Sequence, residues 1–183
     1  LNLADVLKNT EIVSMYEVVK GFAMWQRFKA GEQARLLIVG TMALWLLLAW
    51  LAPCLAAHGH HDLYAVFRGA CHQIAERCFC IYEQPIALCA RCTGIYSGIM
   101  LATLLWTKPC QNRKVLLTLL GGSASVMLLD VALETIGVYH NVKWLRFTTG
   151  MGFGIALAPI LVNALTDMLR ESASTKKTAK NLS

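Results

Sequence analysis

Residues 36–57 read LLIVGTMALWLLLAWLAPCLAA, an apolar run with no charged side chain. A helix rises about 1.5 Å per residue, so some 20 such residues cross the roughly 30 Å hydrocarbon core of a bilayer. The run is therefore read as a transmembrane helix. Three more stretches have the required length and polarity, at 86–106, 115–138 and 147–169. The composition agrees: 56% of residues are hydrophobic and 15% charged, against about 45–50% and 25% in soluble domains. Mean hydropathy is +0.50. These values exclude an ordinary soluble domain and predict an all-α, four-helix transmembrane bundle over 34–170. An N-terminal amphipathic interfacial helix over 1–33 and a basic, disordered tail over 171–183 complete the expected organisation.

The placement of Lys and Arg sets the expected orientation. Twelve of the 17 basic residues lie before the first span, between the second and third, or after the fourth, among them Lys29, Arg35, Lys108, Arg113, Lys114 and Arg170. The other five are Arg68, Arg77, Arg91, Lys143 and Arg146. Both termini are thus expected on the cytoplasmic side of a cell membrane. The formal charge of +6 is accounted for by this asymmetry and by attraction to anionic lipid, so no nucleic-acid partner is implied. Within 1–33, Leu3, Val6, Leu7, Val13, Tyr16, Val19, Phe22 and Trp25 make a broken helical pattern. It suits a helix on the inner membrane surface, or one that binds a partner. No secretory signal peptide is visible, and a start at Leu1 rather than Met leaves room for residues upstream.

Six of the seven cysteines fall at the opposite, extracytoplasmic face, in or beside a loop at about 58–88; Cys110 is on the cytoplasmic side, where it is expected to be reduced. Cys71 and His72 are adjacent, Cys78 and Cys80 follow, and Cys89 and Cys92 form a C-x-x-C where the second span begins. Three chemistries fit. Cys71, His72, Cys89 and Cys92 form a Cys3His ligand set for zinc or another transition metal. A C-x-x-C at a helix N-terminus also suits thiol redox, because the helix dipole stabilises a thiolate. Such a Cys89–Cys92 pair could pass electrons to a quinone, making the chain a membrane thiol-disulfide oxidoreductase. Stapling disulfides in an oxidising compartment are the third reading. The histidines at 58, 60 and 61 suit either a solvated loop or a weak metal-gathering tract. Thr93 follows Cys92, so the haem-attachment pattern C-x-x-C-H is absent, as is ferredoxin-like spacing.

The stretch CHQIAERCFCIYEQPIALCARCTGIYSG, Cys71 to Gly98, resembles the signature of the domain of unknown function 2085 family, small prokaryotic membrane proteins. The Cys71-His72-Gln73 opening and the run Cys89-Ala90-Arg91-Cys92-Thr93-Gly94-Ile95-Tyr96 with Gly98 carry the resemblance. Asp130 and the Arg146…Thr149-Gly150 segment are similar to its downstream half, and the likeness covers roughly 65–165. It implies a polytopic membrane protein without an assigned activity. Cys78 and Cys80 depart from the pattern.

Charges in a span need partners. Asp130 and Glu134 share a helix face, and Arg91 and Arg146 stand at the same level. The expected pairing sets both arginines against both acids beneath the cysteine loop, with Arg91, Asp130 and Arg146 as its supporting layer. Small residues at Gly94 and Gly98, at Gly150, Gly154 and Ala158, and at Gly121, Gly122, Ser123 and Ser125 suit close helix packing. The function expected is a membrane protein with a Cys/His metal site, a structural or accessory subunit in contact with lipids and other membrane subunits. The oxidoreductase is the alternative, and whether the chain is an enzyme stays open. A transporter is disfavoured because the third span is polar only near its outer end.

Overall fold

The computed structural model describes residues 3–81, 83–105, 112–139 and 142–181, without the side chains of 3–20, 22–28 and 174–181. Its elements are α1 (Leu3–Ala56), α2 (Asp62–Phe67), β1 (Cys78–Ile81), β2 (Gln84–Cys89), α3 (Ala90–Leu105), α4 (Arg113–Thr135) and α5 (Lys143–Asn181). A 3-10 turn at Ala75–Arg77 leads into β1. Two compact units result. One is Arg35–Val162; the other joins Leu1–Ala34 with Asn163–Ser183.

Among the described residues, three helical stretches are long and apolar enough to cross a membrane, at Lys29–Ala56, Arg113–Thr135 and Lys143–Ala173. The second span expected from the sequence is different. Residues 86–89 belong to β2, and the described part of α3, Ala90–Leu105, has 16 residues, which rise about 24 Å. Hydropathy counts apolar residues and does not register their conformation. Ile86, Ala87 and Leu88 are buried because they pack in a strand, and a short apolar run reads the same either way. The fold is therefore mostly helical with a small antiparallel hairpin, not all-α. The amphipathic character expected of 1–33 falls on side chains outside the described residues. Helix α5 continues through 171–181, where a disordered tail was expected; no Gly or Pro interrupts that segment. Cys110 and Lys108 lie outside the described residues.

In the Arg35–Val162 unit, α3 and α5 cross in backbone contact. A Cβ on Gly94 would collide with the carbonyl oxygen of Phe147, and one on Gly98 with that of Met151. Reciprocally, Gly150 and Gly154 face the carbonyls of Arg91 and Ile95. Each helix thus presents a G-x-x-x-G to the other, the arrangement that lets membrane helices approach closely. Gly121 and Gly122 do not share this role, since nothing lies within 4 Å of a Cβ built there. Hydropathy and spacing suited α4 equally well, but its two glycines meet no described neighbour.

The far end of α3 is held by α1. Arg35 Nε and Nη2 donate to the Thr103 carbonyl at 3.1 and 2.9 Å, and Nη2 to that of Leu104 at 3.3 Å. The last carbonyls of a helix lack intrahelical donors and carry its negative dipole end, so a guanidinium suits them. Arg35→Ala is expected to cost about 1–3 kcal/mol, the value of hydrogen bonds to a charged donor. Amide exchange should show the loss as faster exchange confined to the last turn of α3; unchanged protection there would refute the role. At its own start, α4 is capped by Asn112, whose Oδ1 accepts from the backbone N–H groups of Lys114 and Val115 at 3.2 and 3.4 Å.

The exterior is apolar. Leu36, Leu44 and Leu47 of α1 and Leu117, Leu128 and Leu129 of α4 are exposed, as lipid-facing side chains are.

Candidate metal centre

At the opposite end of α3, β2 runs directly into the helix. Cys89 is the last strand residue, Ala90 the first helical one, and Cys92 lies within the first turn. The C-x-x-C therefore straddles a strand-to-helix junction. Thr93, itself buried, ties the junction by donating from Oγ1 to the Cys89 carbonyl at 3.1 Å. Cys71 arrives from the other side. Its backbone N–H bonds to the Phe67 carbonyl at the end of α2 (2.9 Å), and Phe67 is fully buried against Trp45 of α1, ring centroids 4.4 Å apart. A single apolar cluster results, containing Leu46, Ala49, Ala52, Phe67, Cys71, Ala87 and Leu88, with Cys89 and Cys92 packed against it.

The sulfurs of Cys71, Cys89 and Cys92 all lie within 4.8 Å of one another. Zn–S bonds of about 2.3 Å in a tetrahedron set sulfurs roughly 3.8 Å apart, so small side-chain rotations bring this triad to metal-ligand spacing. The Cys89 backbone N–H donates to the Cys71 sulfur at 3.2 Å. Donation from the Cys89 and Cys92 thiols, aided by backbone N–H groups of Gln73 and Cys89, holds the Cys71 thiol well below its ordinary range. The shift favours the thiolate, the form in which cysteine binds metals or attacks disulfides.

His72 does not join the triad. It is exposed, and the group that converges among the described residues contains only the three cysteines. Neighbouring side chains on a non-helical chain point to different sides. The backbone does turn next door, where Gln73 adopts φ +52° and donates from Nε2 to the Tyr64 carbonyl at 2.7 Å, but this turn leaves His72 facing outward. His58, His60 and His61 are exposed as well; His58 Nδ1 contacts the Cys54 carbonyl at 2.9 Å. Cys54 stands apart from the triad.

Beside the triad lies a layer of paired charge. Arg91 is bonded to Asp130, and Arg146 to Glu134, with Arg77 3.9 Å from Glu134. Asp130 and Arg146 are buried. The Tyr139 hydroxyl donates to the Asp130 carboxylate and also reaches the Asp130 carbonyl at 2.8 Å; Thr149 Oγ1 adds a longer bond of 3.4 Å. Sequence reasoning missed Tyr139 and Arg77, because neither stands in a span or in a motif and no periodicity points to a loop residue. The hairpin covers this layer. Phe79 of β1 packs on Trp144 and Phe147 of α5, with centroids 5.3 and 6.1 Å apart.

Residues 71–160 match the family described as predicted membrane protein (DUF2085). An uncharacterized protein of Methanothermobacter thermautotrophicus is 32% identical over 107 residues, 56% of this chain and 93% of the relative. A second uncharacterized protein, from Methanocaldococcus jannaschii, is 29% identical over 115 residues, 58% of this chain and 70% of the relative. The chain belongs to the DUF2085 family. No solved structure matches it. In this DUF2085 protein the matched region opens at Cys71 and extends past Gly154, so it contains the thiol triad, both ion pairs and the α3–α5 glycine crossing. The Arg35 cap and all of α1 lie outside it.

Proposed function

We propose that this DUF2085 protein holds a zinc-like, thiophilic metal ion through Cys71, Cys89 and Cys92, and that the ion fastens the hairpin and the α2 loop to the start of α3. The observation that carries the reading is the convergence of three sulfurs from chain segments 18 residues apart. Metal binding would be worth most where it is placed. The elements over residues 58–88 are short, a six-residue helix, a 3-10 turn and a two-stranded hairpin, and binding free energy at a thiolate site is folding free energy. By the distribution of Lys and Arg, and with α3 as a fourth crossing, the site faces the extracytoplasmic side and both termini are cytoplasmic. Such a protein acts as a structural or accessory subunit, its leucine-covered exterior available to lipids and other membrane subunits.

Arg91, Asp130 and Arg146 support the site without binding the ion. They fix the ends of α3, α4 and α5 beside it, and the guanidinium groups offset the negative charge of the thiolates.

Metal content and native intact mass of the detergent-purified protein test the reading. One thiophilic metal per chain is expected, with Cys71, Cys89 and Cys92 unoxidised. Cys92→Ser should lower occupancy at least about tenfold, since it removes a direct ligand where loss of even an outer-shell partner costs 10–100-fold. The alternative, a thiol-disulfide oxidoreductase, draws on the same low Cys71 range. A mass deficit of about two units per disulfide with no bound metal would favour it over the metal site.

A further inference from the structure

A fourth thiol stands beside the triad. Cys78 opens β1 and is fully buried. In the hairpin register it is the partner of Cys89. Such partners in an antiparallel pair have Cα atoms about 4.5–5.5 Å apart, and their side chains share a face of the sheet. The register shifts between Cys78 and Cys80. In a regular strand residues two apart share a face, yet here Cys78 is buried and Cys80 exposed, so the two thiols stand in different surroundings. The Cys78 thiol donates to the Ile74 carbonyl at 3.2 Å, a weak sulfur bond that rotation about χ1 would release.

We propose that Cys78 is the fourth protein ligand of the Cys71–Cys89–Cys92 site, closing it into a four-sulfur tetrahedral centre for a thiophilic divalent ion. The proposal rests on the metal-site reading above and adds the ligand that decides the site's character. Three protein ligands leave a position open to water or substrate, whereas four make a closed, structural centre. The group of sulfurs within 4.8 Å of one another includes neither Cys78 nor any further described His, Cys, Asp or Glu, so Cys78 reaches the ion only through the χ1 rotation that releases the Ile74 carbonyl. Cys78 alone combines full burial with a backbone position opposite a triad member. The surroundings suit the charge: four thiolates on a divalent ion carry a net −2, and Arg77, Arg91 and Arg146 outnumber Asp130 and Glu134 in the adjoining layer. Cys78 also joins the hairpin's first strand to the ion, so that both strands and α3 share one anchor.

The test uses the full chain, purified in detergent under reductant and loaded with Co2+ in one sample and Zn2+ in another. In Cys78→Ser the thiolate-to-cobalt charge-transfer absorption per bound metal should fall by about a quarter, one sulfur in four. The metal dissociation constant should rise about tenfold or more, the scale of losing a supporting ligand interaction. Cys80→Ser should change neither. X-ray absorption at the zinc edge of the unmodified protein reads the same point without a variant, and should give four sulfur neighbours at about 2.3 Å. Three sulfurs with one nitrogen or oxygen, or a Cys78→Ser variant equal to wild type, would overturn the proposal and leave the three-cysteine site standing. An unmodified protein that binds neither metal would remove both. Recovery of a Cys78–Cys89 disulfide from protein whose free thiols are blocked at lysis without reductant would also overturn it, since the register that suits shared ligation also suits a cross-strand bond.

Discussion

Gly98→Leu is expected to separate α3 from α5. A Cβ at this position already collides with the Met151 carbonyl and crowds the Ile155 backbone nitrogen. Both obstacles are backbone, which cannot rotate aside as a flexible side chain can. Overpacking of a tight contact costs about 1–3 kcal/mol per inserted group and more where nothing yields, so Gly98→Ala should lose about that amount and Gly98→Leu should exceed it. The same applies to Gly94, Gly150 and Gly154. Gly121 is the matched control: it is helical, with open space around its Cβ position. Gly121→Ala should therefore gain up to about 1 kcal/mol from helix propensity. Steric trapping or thermal unfolding in detergent reads the two variants side by side. Equal shifts at positions 98 and 121 would show that the crossing is not the tight contact described.

Arg91→Ala should be the most damaging change among the charged residues. It strands the buried Asp130 carboxylate, leaving Tyr139 and Thr149 as its donors. Removing one partner of a buried pair costs about 3–5 kcal/mol, while replacing both is often close to neutral. The double variant Arg91→Ala/Asp130→Asn should accordingly recover much of the loss, with a coupling energy of at least about 1 kcal/mol for residues in direct contact. A cycle in which the two losses simply add would rule out the clamp. Because Arg91 stands between Cys89 and Cys92 in sequence, metal content of the single variant is worth recording as well. A structural clamp predicts lower stability with one metal still bound at low temperature.

Much of this was legible in the residues. The apolar runs over 36–57, 115–138 and 147–169 mark three long helices, because lipid leaves a spanning backbone few options besides the helix. The buried charges announced their pairing, since an acid at Asp130 within a span demands a cation and Arg91 and Arg146 were at the matching level. The Gly94/Gly98 and Gly150/Gly154 spacings announced a close crossing. Three cysteines of the site were visible in the C-x-x-C and in Cys71.

What the sequence by itself determined was therefore the membrane class, the family and the residue types at the site, because hydropathy, charge cost and motif spacing are properties of local composition. The tertiary structure decided the rest. It made residues 86–89 a strand, because their apolar side chains pack in a hairpin beside α2 and α3, and it gave the close-packed face to α3 and α5 but not to α4. It turned His72 out and set Cys78 across from Cys89. Which side chain points inward depends on backbone turns and strand register, and these are fixed only when distant segments pack together.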